Sequence, residues 1–327
     1  MNKYAVRKFF KPLYPILDVI LSPFTLLASI LLFAIRKMRV ANMPVSKWIF
    51  KKVGVFPITN HYYEPLFDDR LLKLPLDRDR FLPGINLNDQ GQLNLLNQFQ
   101  FQSELAAIPY RRGDTDLSFY YDNPSLRAGD AEYLYCMVRH FMPSRIIEIG
   151  SGYSTLMVQK AVSDIRLSVP DYAIDQICIE PYEMPWLERT GVRVIRQLVE
   201  DVDPDLFKTL DENDILFIDS SHMVRPQGDV LFEFLELLPT LKKGVIIHVH
   251  DIFSPKDYTR QHIVEDVMFW NEQYLLEAFL TCNQEFEIIG ALNYLKTHYA
   301  SSMYAKFPLL EKYKDSVPGS FWIRKVK

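Results

Sequence analysis

Arg145-Ile146-Ile147-Glu148-Ile149-Gly150-Ser151-Gly152-Tyr153-Ser154-Thr155 opens as a short β-branched apolar run, halts at glycine and continues in small residues. Such a run reads as a buried strand, and its glycines let the backbone turn sharply toward a ligand before a helix begins near Ser154. Four more runs of this kind follow, at Gln176–Glu180, Arg193–Arg196, Asp214–Asp219 and Gly244–Asp251, with helix-like segments between them. Upstream, from Gly129-Asp130, a helix is expected that ends near Phe141-Met142-Pro143. Apolar strands alternating with helices predict an α/β fold with a mostly parallel sheet covered on both faces. Two late runs, Phe286–Gly290 and Ser320–Arg324, suit an edge hairpin that closes the sheet.

Three of the predicted strands end in a carboxylate, at Glu180, Asp219 and Asp251. Ligands of open α/β sheets bind at the carboxyl ends of the strands, so these acids should converge on one crevice. The loop Gly150, Ser151, Gly152, Ser154 and Thr155 is the expected cofactor cradle. A dinucleotide fingerprint needs a third glycine where this chain has Thr155, and its ribose acid stands roughly 20 residues on. Glu180 stands 28 residues past Gly152, and Gly129 to Lys327 holds no Tyr-x-x-x-Lys pair. A nicotinamide-dependent oxidoreductase or epimerase is therefore disfavoured, while Glu180 still suits a ribose diol, since a carboxylate accepts two hydroxyl donors.

Length and composition agree. The 327 residues, 48% hydrophobic and 24% charged, suit a globular chain of one large or two ordinary domains. With 37 basic against 41 acidic residues the net charge is -4, so no global field favours nucleic acid. Cys136, Cys178 and Cys282 are odd in number and lack CxxC spacing, which argues against disulfides or a zinc ribbon and fits a reducing compartment. There is neither a G-x-S-x-G elbow nor a P-loop.

Glu148-Ile149-Gly150-Ser151-Gly152-Tyr153-Ser154-Thr155, Ile179-Glu180, Phe217-Ile218-Asp219-Ser220-Ser221-His222 and His250-Asp251-Ile252-Phe253 together resemble class I S-adenosylmethionine-dependent methyltransferases. More narrowly they resemble the methyltransferase family 24 group, related to small-molecule O-methyltransferases. The resemblance covers about Gly129 to Lys327. It implies a Rossmann-like sheet with a terminal antiparallel strand and S-adenosylmethionine as cofactor. It also implies that Glu148 and the glycine loop hold the methionine part, Glu180 the ribose, and the Glu200-Asp201 region the adenine. Ser220-Ser221 departs from the family form, which has a glycine-containing turn before the histidine.

Methyl transfer to a hydroxyl needs an in-line nucleophile and a place for its proton. His222, three residues past Asp219, is the first choice of base; the bland reading is that it orients its loop. Asp219, His250 and Asp251 are candidate ligands for a divalent metal, with structural roles for these acids about equally expected. Asp219, His222, His250 and Asp251 form the expected catalytic set, and His248 should share a sheet face with His250. Asp266 to Leu280 has helical spacing, with Phe269, Leu276 and Leu280 expected on the sheet. Trp270, Asn271 and Tyr274 are set either in the helix packing or toward the crevice.

From Leu13 to Ile35 the chain is almost wholly apolar and long enough to cross a bilayer. Asp18, Pro15 and Pro23 interrupt it, and Lys3, Arg7, Lys8, Lys11, Arg36, Lys37 and Arg39 flank it on both sides. These features predict shallow insertion or a helical hairpin rather than one uninterrupted helix, retained rather than cleaved. Residues 1–41 are thus expected to attach the protein to a membrane, with the catalytic domain, 129–327, cytoplasmic. Residues 42–128 read as a connector without sustained helical period. Its pieces Asn60–Pro65, Arg111–Asp114 and Phe119–Pro124 suit a pocket wall. The expected acceptor is a small molecule, a glycan or a lipid-linked sugar; the alternative from another class is a catalytically silent membrane-tethered scaffold.

Overall fold

The computed structural model describes residues 11–60, 64–113 and 117–327. Lys3, Arg7 and Lys8 of the basic flank, and His61, Tyr62, Tyr63 and Asp114 of the aromatic pieces, lie outside the described residues. The chain divides into two compact units, Met1–Lys73 and Leu74–Lys327.

The larger unit carries a seven-stranded sheet. Its strands are β1 Arg145–Ile149, β2 Asp175–Ile179, β3 Arg193–Ile195, β4 Ile215–Ile218, β5 Ile246–Val249, β6 Phe286–Ala291 and β7 Phe321–Lys325, in the order β3-β2-β1-β4-β5-β7-β6. The first five are parallel, and β7 runs antiparallel to both neighbours. Successive residues of a strand face opposite ways. Ile147, Ile149, Ile177, Leu216 and Ile247 accordingly pack into one core, and Ile146, Ile215, Phe217 and Ile246 into the other. Burial on both faces is why these strands read as unbroken apolar runs. The order reverses between β1 and β4, which opens a crevice at their carboxyl ends.

Two expectations for this unit need correction. The last two runs do pair antiparallel, but β7 slots inside the sheet and leaves β6 at the edge, with helices between them in sequence. Trp322 on β7 is fully buried, its ring 4.7 Å from His248 and 5.9 Å from Tyr133, and only an internal strand offers it both contacts. Within the connector Asp89–Gln98 and Gln102–Ala107 are helical, each a short piece that packs on the larger unit's core. Gln92, Leu95, Leu96 and Phe99 bury one i, i+3, i+4, i+7 stripe, too short among Asn and Gln to stand out in sequence. Finally, the helix expected from Asp266 begins only at Glu272 and runs to Leu280. Val267 has a left-handed backbone and the preceding Gln261–Glu265 turn is π-type, so the chain is still turning there. Leu276 and Leu280 join the core, whereas Phe269 stays outside it, half-buried.

In the smaller unit Tyr14–Lys37 is a single helix, against the expected break. Pro23 has no N–H for the Val19 carbonyl four residues back. The Ser22 hydroxyl donates to that carbonyl instead, at 2.9 Å, which spares the helix an unmet acceptor. At 1.5 Å per residue the 24 residues span about 36 Å, and none is buried.

Candidate active site

The turn after β1 is set by backbone. Gly150 has φ +75, and a Cβ built on it would stand 1.8 Å from the Asp219 carbonyl oxygen, so only glycine lets the ends of β1 and β4 close together. Beneath the turn lies Glu148, fully buried. It accepts hydrogen bonds from Ser154 Oγ at 2.8 Å, Thr155 Oγ1 at 3.1 Å and Gln176 Nε2 at 2.8 Å. Burial raises its pKa above the ordinary carboxyl range, and these donors counter the shift. Glu148 and Thr155 thus fasten the loop to the helix Tyr153–Ser168 from below. At the end of β2, Glu180 Oε1 accepts the backbone N–H groups of Tyr182 and Glu183 at 3.0 and 2.8 Å. Its Oε2 has only a 3.4 Å approach from the Ser151 N–H. The Ser151 hydroxyl is buried beside the Cys178 thiol and, by strict geometry, has no hydrogen-bond partner among the described residues.

At the ends of β4 and β5 the construction is ionic. His222, left-handed at φ 59 and buried, bonds through Nδ1 to Glu272 Oε2 at 2.7 Å; its Nε2 stands 3.4 Å from Asp219 Oδ1 and 3.7 Å from Asp251 Oδ2. Burial disfavours a charged imidazole, but Asp219 and Glu272 outweigh it and hold His222 well above its ordinary pKa. Glu272, fully buried, is locked to the same loop, because the His222 carbonyl accepts the N–H groups of Asn271 and Glu272. The Trp270 ring lies 4.3 Å from the imidazole, and Asn271 Oδ1 accepts the Val224 N–H at 2.6 Å. Ser220 and Ser221 are tied down in turn, to Glu233 at 3.0 Å and to Asp229 at 2.7 Å. Burial and the nearby Glu272 push the Glu233 carboxyl well up, and burial raises Glu272 too, against the pull of His222. Asp219, its side chain 36% open, is opposed by the desolvation around it, yet His250 and His222 hold it down at about 2. His250 is buried and loses charge by burial alone, but Asp219, Asp251 and Asp130 raise it above 6.5. His248 is buried against Phe217 with ring centroids 3.9 Å apart, and burial drives it well below 6.5, so it stays neutral.

Two cavities meet over these residues. One of about 180 Å³ is lined by Gly150, Ser151, Gly152, Ser154, Glu180 and Met184. The other, of about 710 Å³, is lined by Arg127, Asp130, Asp251, Phe253, Arg260 and His262 among others. Ser125, Asp219 and His250 line both. Of the residues expected from sequence, the glycine loop, Glu180, Asp219, His250 and Asp251 therefore come together at the cavities. Glu148, Thr155 and His222 line neither and act on residues that do. Glu200 and Asp201 sit on the turn after β3 and line neither cavity. Phe119–Pro124 does supply wall: Asn123 knots the loop by bonds to Tyr120, Ser125 and Leu126, which presents Pro124 and Ser125 to the larger space. Among the described residues no group of three or more His, Cys, Asp or Glu is arranged to hold a metal ion. Glu272, Glu233 and Asp130 were not singled out from sequence. Their one available signal, an acid at or near a helix start, is also what ordinary capping produces.

Residues 147–252 match the Methyltransf_24 family, described as a methyltransferase domain; that segment is a methyltransferase domain. An uncharacterised protein of Archaeoglobus fulgidus is 29% identical over 178 residues, which cover 50% of this chain and 77% of that protein. Among solved structures, the O-methyltransferase TomG from Streptomyces achromogenes, in complex with SAM, is similar at 15% identity and TM-score 0.38, covering 63% of this chain and 84% of its own. An O-methyltransferase from Bacillus cereus, in complex with SAH, is similar at 12% identity and TM-score 0.35, covering 72% and 90%.

Proposed function

We propose that this chain, a methyltransferase by its domain at 147–252, binds S-adenosylmethionine over the glycine loop and Glu180, with the smaller cavity taking part of it, and methylates a hydroxyl of an acceptor held in the larger one. The observation that carries the reading is the junction itself: two cavities of unlike lining share Asp219 and His250. The smaller one fits the cofactor's chemistry. Glu180 Oε2 offers lone pairs to a ribose diol, Ser151 lines the cavity beside it, and a Cβ at Gly152 would meet no atom nearer than Met184 at 3.5 Å. When bound, the cofactor supplies an electrophilic methyl group on a sulfonium.

The chain's own groups position the acceptor and take its proton. His222 is screened from both cavities and held as a cation, so its part is to fix Asp219 and Asp251 rather than to act as base. His250 stands at the junction as the imidazole able to accept the hydroxyl proton, with Asp219 and Asp251 to stabilise the imidazolium that results. The larger cavity, with Arg127, Arg260 and His262 among carboxylates, suits a polar, many-hydroxyl acceptor such as a glycan, a lipid-linked sugar or another small molecule. The apolar helix Tyr14–Lys37, long enough to cross a bilayer by length and composition, supports action at a membrane.

The test is incubation of the full-length protein with membrane and metabolite extracts and S-adenosylmethionine labelled in its methyl group, with and without a chelator. A labelled product formed equally in both, at a rate that rises with pH above 6.5 as His250 loses its proton, is expected. Loss of product under chelation, restored by Mg²⁺, would transfer Asp219, His250 and Asp251 to a metal-holding role. Stabilisation of the protein by NAD and not by S-adenosylmethionine would overturn the cofactor assignment.

A further inference from the structure

We propose that the helix Pro44–Val53 lies flat in the headgroup layer of an anionic bilayer, a second membrane contact beside the long apolar helix; the inference rests on the membrane reading above. The helix has no buried residue. Val45, Ile49 and Val53 repeat every four residues and Trp48 falls beside them, and all four are open to solvent at 70, 45, 69 and 60%. Among the described residues this makes one largely apolar face, left open to solvent. Lys47 and Lys51 stand on the opposite side of the helical wheel. Lys52 falls on the apolar face itself, between Trp48 and Val45 on the wheel, its Nζ 4.8 Å from the Trp48 ring centroid, the arrangement of a side chain that buries its stem and lifts its charge.

Charge names the partner. Between Asp18 and Glu64 the sequence has no acidic residue, while Arg36, Lys37, Arg39, Lys47, Lys51 and Lys52 fall in that interval. A cluster of four to eight such residues beside an apolar membrane helix is what an anionic lipid surface attracts. An amphipathic helix with Trp on one side and Lys on the other is the form that settles in the interface.

The geometry of the turn keeps the two helices together. Val40 is buried, the N–H groups of Asn42 and Met43 bond to Arg39 and Val40, and Asn42 Nδ2 reaches the Met38 carbonyl. Beyond Gly54 the chain folds back so that Phe56 packs against Phe50 and under the Arg36 guanidinium, which also pairs with Glu64. The Pro44–Val53 helix is thus fixed to the end of the long helix, at the level where a spanning segment leaves the hydrocarbon.

The experiment uses full-length protein reconstituted into vesicles of phosphatidylcholine with and without phosphatidylglycerol, some carrying acyl chains brominated near the headgroup or near the bilayer centre. Trp48→Phe gives by difference the emission of Trp48, separating it from Trp186, Trp270 and Trp322. Quenching of that difference signal at least twofold, stronger from the shallow bromines than the deep ones, is the expected result. Replacing Lys47, Lys51 and Lys52 together by Gln should leave the protein vesicle-bound and remove most of the extra quenching that phosphatidylglycerol brings. If the protein floats with the vesicles while Trp48 is not quenched, the face is covered by the catalytic unit or by a second copy and the inference is wrong. If the protein does not float at all, the membrane reading falls and takes this inference with it.

Discussion

The two sides of Asp219 are built from different materials. Toward the smaller cavity the walls are backbone: a left-handed glycine, a second glycine and the first turn of a helix, pinned from below by the buried Glu148. Toward the larger cavity they are ions: Asp219, Asp251 and His250 stand in the wall, held from behind by His222 and its partner Glu272. The backbone side is fixed by excluded volume, which does not change with pH or partner. The ionic side holds only while each charge keeps its counterpart, because a buried charge that loses its partner costs far more than the pair contributed. A methyl donor presents the same groups in every reaction and tolerates a rigid seat, whereas acceptors differ, and charged side chains can be re-aimed without moving the sheet.

Three substitutions probe this contrast, in falling order of effect. Gly150→Ala should be the most damaging, since the new Cβ cannot coexist with an Asp219 oxygen 1.8 Å away and the residue has φ +75. A loss on the order of 4 kcal/mol or more is expected, visible as failure to accumulate folded protein. A well-folded Gly150→Ala protein with unchanged cofactor affinity would remove the claim that sterics set this side. Glu272→Ala comes next. It leaves the buried His222 imidazole without its Nδ1 partner and should cost about 3 kcal/mol in chemical denaturation, with His222 turning neutral.

The same variant sharpens the comparison through pH. His222 is raised above its ordinary 6.5 in the folded state, so the stability it confers is complete below pH 6.5 and declines as pH climbs through the raised value. Wild-type melting temperature should therefore fall on the alkaline side. Glu272→Ala should flatten that fall, and identical profiles for the two proteins would show that the ionic network does not govern it. The mildest change is Glu180→Ala. Losing a charged acceptor for the ribose should weaken S-adenosylmethionine roughly 10- to 100-fold by calorimetry, with a modest loss of stability from the freed Tyr182 and Glu183 N–H groups. An affinity within twofold of wild type would remove Glu180 from the cofactor's contacts.

The strands, their parallel direction and the glycine turn could be read from residues near in sequence. A strand buried on both faces must be apolar at every position, and a turn that admits no Cβ must hold glycine, so both leave local marks at Ile146–Ile149 and Gly150. The same holds for the acids at strand ends, Glu180, Asp219 and Asp251, whose positions follow from where each apolar run stops. Glu272 carries no such mark. It lies 50 residues from His222, on a helix that starts six residues later than its spacing suggests, and a buried carboxylate is written with the same letter as an exposed one. His222 follows Asp219 by three residues in sequence, yet whether its imidazole faces the cavity or the protein depends on that distant partner and on the left-handed turn at His222 itself. The apolar run Leu13 to Ile35 shows the reverse case: its hydropathy is evident in the sequence, but its continuity through Pro23, where the Ser22 hydroxyl meets the Val19 carbonyl, is not. Patterns that follow from solvent exclusion along a segment are local and survive in the sequence. Which charge meets which across the sheet is settled by the folded chain, since pairing energies depend on distance and burial that no short stretch of residues encodes.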